Sequence, residues 1–219
     1  MTTPVPQDVR DFDLPAWLSA AAERPAIVPA GAAVLRQKAQ SVPAALLATP
    51  ALRELVRRMV DVMHDAPGVG LAAPQIGVPL RVFVAEDLER RVAELSAESR
   101  AARGRVALPL TVLVNPKVVP EGEDKAVFFE GCLSVRGYAA LVPRFQNVAV
   151  SGVDAEGRPV SLRLAGWTAR IMQHELDHLD GTLYVDRMLS RSFATDAEVS
   201  RLGAMPVTDV LADLGYGSA

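Results

Sequence analysis

One segment near the end of the sequence, GWTARIMQHELDHLDG (residues 166–181), constrains the fold more than any other. Its apolar residues follow helical spacing and are numerous enough for the helix to be buried. The same helix carries two of the three histidines, His174 and His178, with Glu175 between them. Buried polar side chains need partners, and metal coordination would provide one.

The residues before this helix have a different pattern. Short β-rich segments separated by turn residues follow one another in the order TVLVNPKVV, KAVFFEGCLSV, AALVPRF, NVAVSGVDAEG and RPVSLRLAG. Further upstream, PALRELVRRMVDVMH reads as an amphipathic helix and VPLRVFVAE as a strand. The order predicts an α+β fold, with antiparallel β-sheets packed around a central helix that carries the HExxH motif.

The sequence pattern also divides the chain into three parts. We expect one domain over residues 26–195, a peripheral N-terminal extension over 1–25 and a C-terminal tail over 196–219. Within the domain, the charged stretch at 86–107 is predicted to be a helical or disordered surface excursion.

Composition narrows the class of protein. Half of the residues are apolar and the net charge is −3, which is typical of a globular protein without a chain-wide basic surface. Direct binding of nucleic acid is therefore not predicted. The sequence has neither an apolar run of about 20 residues, as a membrane span needs, nor a recognisable targeting segment. We expect a cytoplasmic protein with no membrane partner.

The HExxH pattern is typical of a metal-binding site. Side chains at i and i+4 share a helix face, so His174 and His178 can bind one ion. Glu175 lies about 100° around the helix, where it stays unligated and can reach a water on the ion. The alternative is a solvent-exposed helix face with histidine–carboxylate pairs.

A catalytic site of this kind needs a third protein ligand and an open position. Cys132, the single cysteine, lies in FEGCLSV and offers a thiolate ligand, although it could also be a nucleophile or a small buried residue. Glu198 follows His178 by twenty residues, as in a zincin-type protease. A closed structural site with four protein ligands is a third possibility.

A glycine-rich stretch, GVGLAAPQIG at 68–77, is another candidate. Its glycines can bring the backbone close to a ligand, and Gln75 could place an amide donor near a developing oxyanion. The alternative is an ordinary helix-to-strand loop with Gln75 as a surface residue. His64, at the end of the first amphipathic helix, is expected to be a surface or helix-terminal residue.

In this order, GVGLAAPQ, EGCLS and QHELDH closely resemble the three signature motifs of the peptide deformylases. The resemblance extends from about Ile27 to Phe193 and is closer to the mitochondrial-type branch. It implies a metal-dependent hydrolase that removes the N-formyl group from the initiator methionine of newly made polypeptides and releases formate. Its partners would be N-formylmethionyl nascent peptides and, transiently, the ribosome.

The resemblance also implies roles for individual residues. Cys132, His174 and His178 would bind one divalent metal ion, which is commonly Fe²⁺, although Zn²⁺, Ni²⁺ or Co²⁺ can occupy the same ligands. Glu175 would be the general acid and base. The Gln75 amide and the Leu133 backbone N–H would face the formyl oxygen.

The substrate contacts implied by the resemblance involve four further residues. Gly70 would hydrogen-bond the peptide backbone, while Val69 and Ile171 would line a methionine pocket, to which Trp167 is a weaker candidate because core packing explains it equally well. Two features depart from the family pattern. Ala139 stands where an arginine is often found, and the tail is not the basic helix that some members use to dock on ribosomes.

Overall fold

The structure, a computed structural model, describes residues 12–203 and 205–216. Parts of the predicted extension (1–11) and tail (204 and 217–219) lie outside the described residues. The α-helices of the described residues are α1 Leu14–Ala20, α2 Pro50–Asp65, α3 Glu89–Ala93, α4 Ala97–Arg103, α5 Gly166–Leu179, α6 Asp196–Leu202 and α7 Val207–Asp213. The strands are β1 Gly70–Ala72, β2 Val82–Asp87, β3 Leu108–Pro120, β4 Lys125–Cys132, β5 Val135–Phe145, β6 Asn147–Val153, β7 Pro159–Ala165 and β8 Ala194–Thr195. Short 3₁₀ helices span Ala33–Arg36, Ala44–Leu46, Ala73–Ile76, Tyr184–Asp186 and Ser190–Ser192.

The strands form two antiparallel sheets. One has the order β1-β2-β3-β6-β7 and the other the order β4-β5-β8. The predicted turn between β6 and β7 is present: Asp154 accepts the backbone N–H of Gly157 at 3.0 Å, and Gly157 has a φ of +79°. Such a left-handed conformation favours glycine, so this turn fixes the hairpin register.

Helix α5 lies at the centre of the fold. It contacts β1, β2, β3, β6 and β7 of the first sheet and β5 of the second. Ala169, Met172 and Leu179 are fully buried in this packing. The helix ends at Asp180–Gly181, where Gly181 has a φ of +75°. The predicted α+β fold with a central HExxH helix is therefore confirmed.

Helix α2 begins and packs as its sequence predicts. Thr49 caps it by accepting the N–H of Leu52, and Pro50 occupies the first turn, where no backbone donor is needed. Its apolar face is buried, with Leu55 and Met59 fully inaccessible. This face forms part of the hydrophobic core that packs against β1 and the residues around it.

The ends of the chain pack against this frame. Trp17 of α1 is 5% exposed and belongs to the same core as α2. The Arg58 guanidinium of α2 donates to the carbonyls of Leu18, Ala21 and Ala22, at 3.1 to 3.3 Å. At the other end, α6 and α7 pack apolar side chains against Leu141 of β5.

The charged stretch folds as two short helices, α3 and α4, between β2 and β3. Ser96 caps α4 by accepting the N–H of Ser99, and Gly104 ends it in the left-handed conformation. The sequence left open whether this stretch is helical or disordered, and the structure shows that it is helical. No helix within 12–203 or 205–216 combines the length and apolar character that crossing a membrane requires.

Candidate metal centre and active site

The fold brings Cys132, His174 and His178 together. Ligand atoms of these three side chains lie within 4.8 Å of one another, and the Sγ of Cys132 is 3.3 Å from Nε2 of His178. Cys132 ends β4, whereas both histidines project from α5 one helical turn apart. Among the described residues, this is the group of three His, Cys, Asp or Glu side chains able to share an ion.

The donor set fits a transition metal. Nδ1 of His174 is 3.0 Å from a carboxylate oxygen of Glu130, which leaves Nε2 for a ligand. Burial opposes ionisation of Cys132, but the neighbouring His178 and His174 outweigh it and hold the pKa of the thiol well below its usual range. One thiolate and two imidazoles suit Fe²⁺, Zn²⁺, Ni²⁺ or Co²⁺.

A buried ion-pair network holds the His174 side of the site. Glu130 of β4 pairs with Arg144 of β5 at 2.9 Å and with Arg170 of α5 at 2.6 Å. Arg144 also pairs with Asp177 of α5 at 2.5 Å. All four side chains are at most 8% exposed. The network ties the second sheet to the helix that carries the histidines.

Sequence reasoning did not assign this network. Glu130, Arg144 and Asp177 lie within quoted motifs, EGCLS, VPRF and QHELDH, but far apart along the chain. Their contacts depend on the β4–β5 register, in which Glu130 lies opposite Ala140, and on where α5 crosses the sheet. The available signal was the occurrence of charged residues in segments whose strand or helix patterns predict burial.

Glu175 lies beside the Cys132, His174 and His178 group and is 4% exposed. Burial raises the pKa of its carboxyl group to about 7. Its Oε2 atom is buried without a hydrogen-bond partner among the described residues. The carboxylate packs directly on Gly70: a Cβ added there would lie 2.1 Å from Oε1. Glycine at this position therefore makes room for the Glu175 side chain.

Gln75 enters the site from the 3₁₀ helix after β1. Its Oε1 accepts the backbone N–H of Ala72 at 2.9 Å, which fixes the orientation of the side-chain amide. The Nε2 group points towards Sγ of Cys132 at 3.6 Å and towards Oγ of Ser134 at 3.4 Å. At 2% exposure, Gln75 is not the surface glutamine of the alternative interpretation.

A cavity of about 840 Å³ opens onto these residues. Except for His178, every site residue implied by the resemblance lines it: Val69, Gly70, Gln75, Cys132, Leu133, Trp167, Ile171, His174 and Glu175. Apolar atoms make up the larger part of its exposed lining, as is common in ligand-binding sites.

The remaining sequence candidates lie elsewhere. Glu198 lies on α6 and pairs with Arg201 at 2.5 Å, with 48% of its side chain exposed. His64 is 44% exposed at the end of α2 and pairs with Glu86 at 2.5 Å. Ala139 is 6% exposed between Gly131 and Ala194 in the second sheet.

Fold and site together define a class: a mixed helix–sheet protein with an HExxH helix and a Cys/His/His group at the base of a cavity. The solved Met-Ala-Ser-bound structure of class I type b peptide deformylase from Acinetobacter baumannii is similar, with a TM-score of 0.66 at 30% identity. The match covers 75% of this chain and 98% of that one.

Proteins related to this chain in sequence are also peptide deformylases. Peptide deformylase 1 of Streptomyces coelicolor is 51% identical over 181 residues, which cover 82% of this chain and 80% of the relative. Peptide deformylase 1A, chloroplastic/mitochondrial, of Arabidopsis thaliana is 46% identical over 171 residues, or 78% of this chain. The chain spans only 64% of the length of that plant protein.

The polypeptide deformylase family model matches residues 25–193. The chain therefore belongs to the polypeptide deformylase family, as the three motifs indicated. Members of this family depend on a metal ion, and the Cys132, His174 and His178 group lies within the matched segment.

Proposed function

We propose that this protein is a peptide deformylase: a metal-dependent hydrolase that removes the N-formyl group from the initiator methionine of newly made polypeptides and releases formate. Family membership supports the reaction class. The observation that carries the proposal is the convergence of Cys132, His174 and His178 beside Glu175 at the base of a peptide-sized cavity.

Cys132, His174 and His178 would hold the metal ion. Fe²⁺ is the proposed ion in the cell, and Zn²⁺, Ni²⁺ or Co²⁺ suit the same donors. When bound, the ion supplies Lewis-acid chemistry, which polarises a carbonyl and makes water a stronger nucleophile at neutral pH. The hydrogen bond that Nδ1–H of His174 donates to the Glu130 carboxylate fixes the orientation of that imidazole.

Glu175 moves the protons. It would accept one from the water that attacks the formyl carbon and then donate it to the methionine nitrogen as the C–N bond breaks. Its buried position beside the Cys132, His174 and His178 group supports this role. A well-placed general acid–base contributes about 10² to 10⁴ in rate.

Gln75 and Leu133 would stabilise the negative charge that develops on the formyl oxygen. The Gln75 amide is held by Ala72 with its donor group directed towards Cys132. The backbone N–H of Leu133, the residue after Cys132, would be the second donor. Groups fixed in this way need no reorganisation during the reaction.

The methionine side chain would occupy the apolar part of the cavity. Val69, Ile171 and Trp167 line that region, and Gly70 would hydrogen-bond the peptide backbone. The related Acinetobacter baumannii enzyme has a solved structure with Met-Ala-Ser bound, which supports a peptide beginning with methionine as the ligand here.

Partners and location follow from this reaction. N-formylmethionyl nascent peptides would be the substrates, met in the cytoplasm during transient contact with the ribosome, without direct nucleic acid binding or a membrane partner. The catalytic unit would be residues 26–195, flanked by an N-terminal extension (1–25) and a C-terminal tail (196–219).

A formate-release assay tests the proposal. Anaerobically purified protein should release formate from formyl-Met-Ala-Ser and lose this activity when Cys132 is replaced by serine. A protease of the zincin type, with Glu198 as ligand, would instead cleave internal peptide bonds and tolerate the Cys132→Ser change. That result, with no formate released, would reject the proposed function.

A further inference from the structure

Within the charged stretch, residues 88–105 follow β2 and form an insert. This insert contacts two walls of the cavity described above. We propose that the insert is a positioning element for the methionine pocket, in which Arg91 holds the loop of residues 67–70 and Arg103 and Arg105 hold Trp167. The inference rests on the proposed function for the identity of the ligand. The contacts themselves come from the structure alone.

Arg91 of α3 reaches over the loop that joins α2 to β1. Its Nη1 donates to the carbonyl of Gly68 at 2.8 Å and to the carbonyl of Pro67 at 3.2 Å. The next two residues are Val69 and Gly70, which line the cavity. A guanidinium that binds two successive carbonyls restricts the backbone immediately before the residues that would contact substrate.

The other end of the insert packs on Trp167. The guanidinium groups of Arg103 and Arg105 lie 5.5 and 5.2 Å from the centre of the indole ring, within the range of cation–π attraction. Arg105 is anchored in turn by Asp87 of β2, whose carboxylate is fully buried and accepts two bonds at 2.7 and 3.1 Å. The indole wall of the cavity is thus fixed from outside.

The backbone of the insert also rests on the start of α5. A Cβ added to Gly166 would lie 2.8 Å from the carbonyl oxygen of Gly104, and Gly166 has a φ of +59°. Both the close approach and the left-handed conformation require glycine. The insert is therefore seated against the helix that carries His174 and His178.

These contacts have one consequence for the pocket. The loop of residues 67–70 and Trp167 belong to different elements, and the insert binds both of them. Their separation, and hence the fit of the pocket to an unbranched side chain such as that of methionine, would be set by the insert. Releasing Arg91 would loosen the loop wall without touching the Cys132, His174 and His178 group.

Substitution of Arg91 tests this role against a matched control. Arg90 lies on the same helix, is exposed and makes no side-chain hydrogen bond or ion pair with the described residues. We expect Arg91→Ala to raise KM for formyl-Met-Ala-Ser about tenfold with little change in kcat, and to weaken the preference for formyl-Met over formyl-Leu peptides. Arg91→Lys should restore part of the preference, and Arg90→Ala should match the wild type.

Hydrogen exchange gives a readout that does not depend on activity. Backbone amides of residues 67–72 should exchange faster in Arg91→Ala than in Arg90→Ala or the wild type, while those of α5 should not change. Equal exchange in the three proteins, or a KM and a preference unaffected by Arg91→Ala in an active enzyme, would overturn the inference. A wild type that releases no formate would reject the proposed function, whereas the exchange rates would still decide whether Arg91 holds the loop.

Discussion

At the scale of single residues, the site depends on which atoms can come close together. The i and i+4 spacing of His174 and His178 follows from the sequence, because helical geometry alone puts them on one face. The packing of Glu175 on Gly70 does not follow, since it depends on how β1 lies against α5. Glycine at position 70 has a steric role in addition to the backbone contact implied by the resemblance.

Replacing Glu175 by alanine separates proton transfer from metal binding. We expect Glu175→Ala to retain one metal ion per chain and to lose formate release by a factor of about 10² to 10⁴, because no other carboxylate replaces the general base. Metal analysis and the formate assay on the same preparation give both values. Loss of the metal in this variant would mean that Glu175 is itself a ligand.

Replacing Gly70 by alanine tests the contact with Glu175. The new Cβ would overlap the carboxylate, so Gly70→Ala should lower the melting temperature and displace the catalytic group. In a Glu175→Ala background the overlap is absent, and the same substitution should cost much less stability. A double-mutant cycle on thermal unfolding measures this coupling. Strict additivity would show that the two side chains do not compete for space.

At the scale of secondary-structure elements, the site is an assembly of one helix and two sheets. The sequence predicted α2, α5 and strands β2 to β7, because their segments have clear strand or helix patterns, but it did not predict β1 within the glycine-rich stretch. It did not predict the contacts of Glu130, since these require β4, β5 and α5 to be placed in three dimensions. Buried charges in apolar segments indicated that partners exist but not which ones.

Glu130→Gln tests the contribution of the buried network. Removing the charge leaves the buried Arg170 without its carboxylate partner and leaves Arg144 paired only with Asp177. Breaking a buried ion pair in this way typically costs about 3 to 5 kcal/mol. Metal affinity should also fall about 10- to 100-fold, because the charged carboxylate that orients His174 is replaced by a neutral amide, a weaker acceptor. Denaturant unfolding and competition with a chelator measure the two effects.

The control for Glu130→Gln is Glu121→Gln. Glu121 lies on the surface, where it pairs with Arg163 at 3.4 Å, and its loss should change stability by less than about 1 kcal/mol. Equal effects of the two substitutions would show that the buried network does not support the site.

At the scale of the whole molecule, peripheral segments contribute to the frame. Helix α1 has only seven residues, too few for its sequence to predict where it packs. In the structure its Trp17 is buried against α2, and Arg58 binds the carbonyls of Leu18 within α1 and of Ala21 just after it. The central helix and the sheets were predictable from periodicity, whereas this docking and that of the charged insert depend on side chains meeting across the fold.

Trp17→Ala tests whether α1 stabilises the protein without taking part in catalysis. Deleting a buried tryptophan side chain should lower the free energy of unfolding by about 3 to 5 kcal/mol. Formate release per folded molecule, measured well below the melting temperature, should not change. Leu110→Ala, at a residue that is 46% exposed, is the control and should be nearly neutral. A large loss of activity in folded Trp17→Ala protein would place α1 in the active unit.

The coordination of the metal ion is the most direct test of the proposed site. X-ray absorption at the metal edge of anaerobically purified protein should show one sulfur ligand together with nitrogen and oxygen ligands, and the sulfur signal should disappear in Cys132→Ser. A first shell of nitrogen and oxygen alone in the wild type would contradict the assignment of Cys132, and with it the Cys132, His174 and His178 centre.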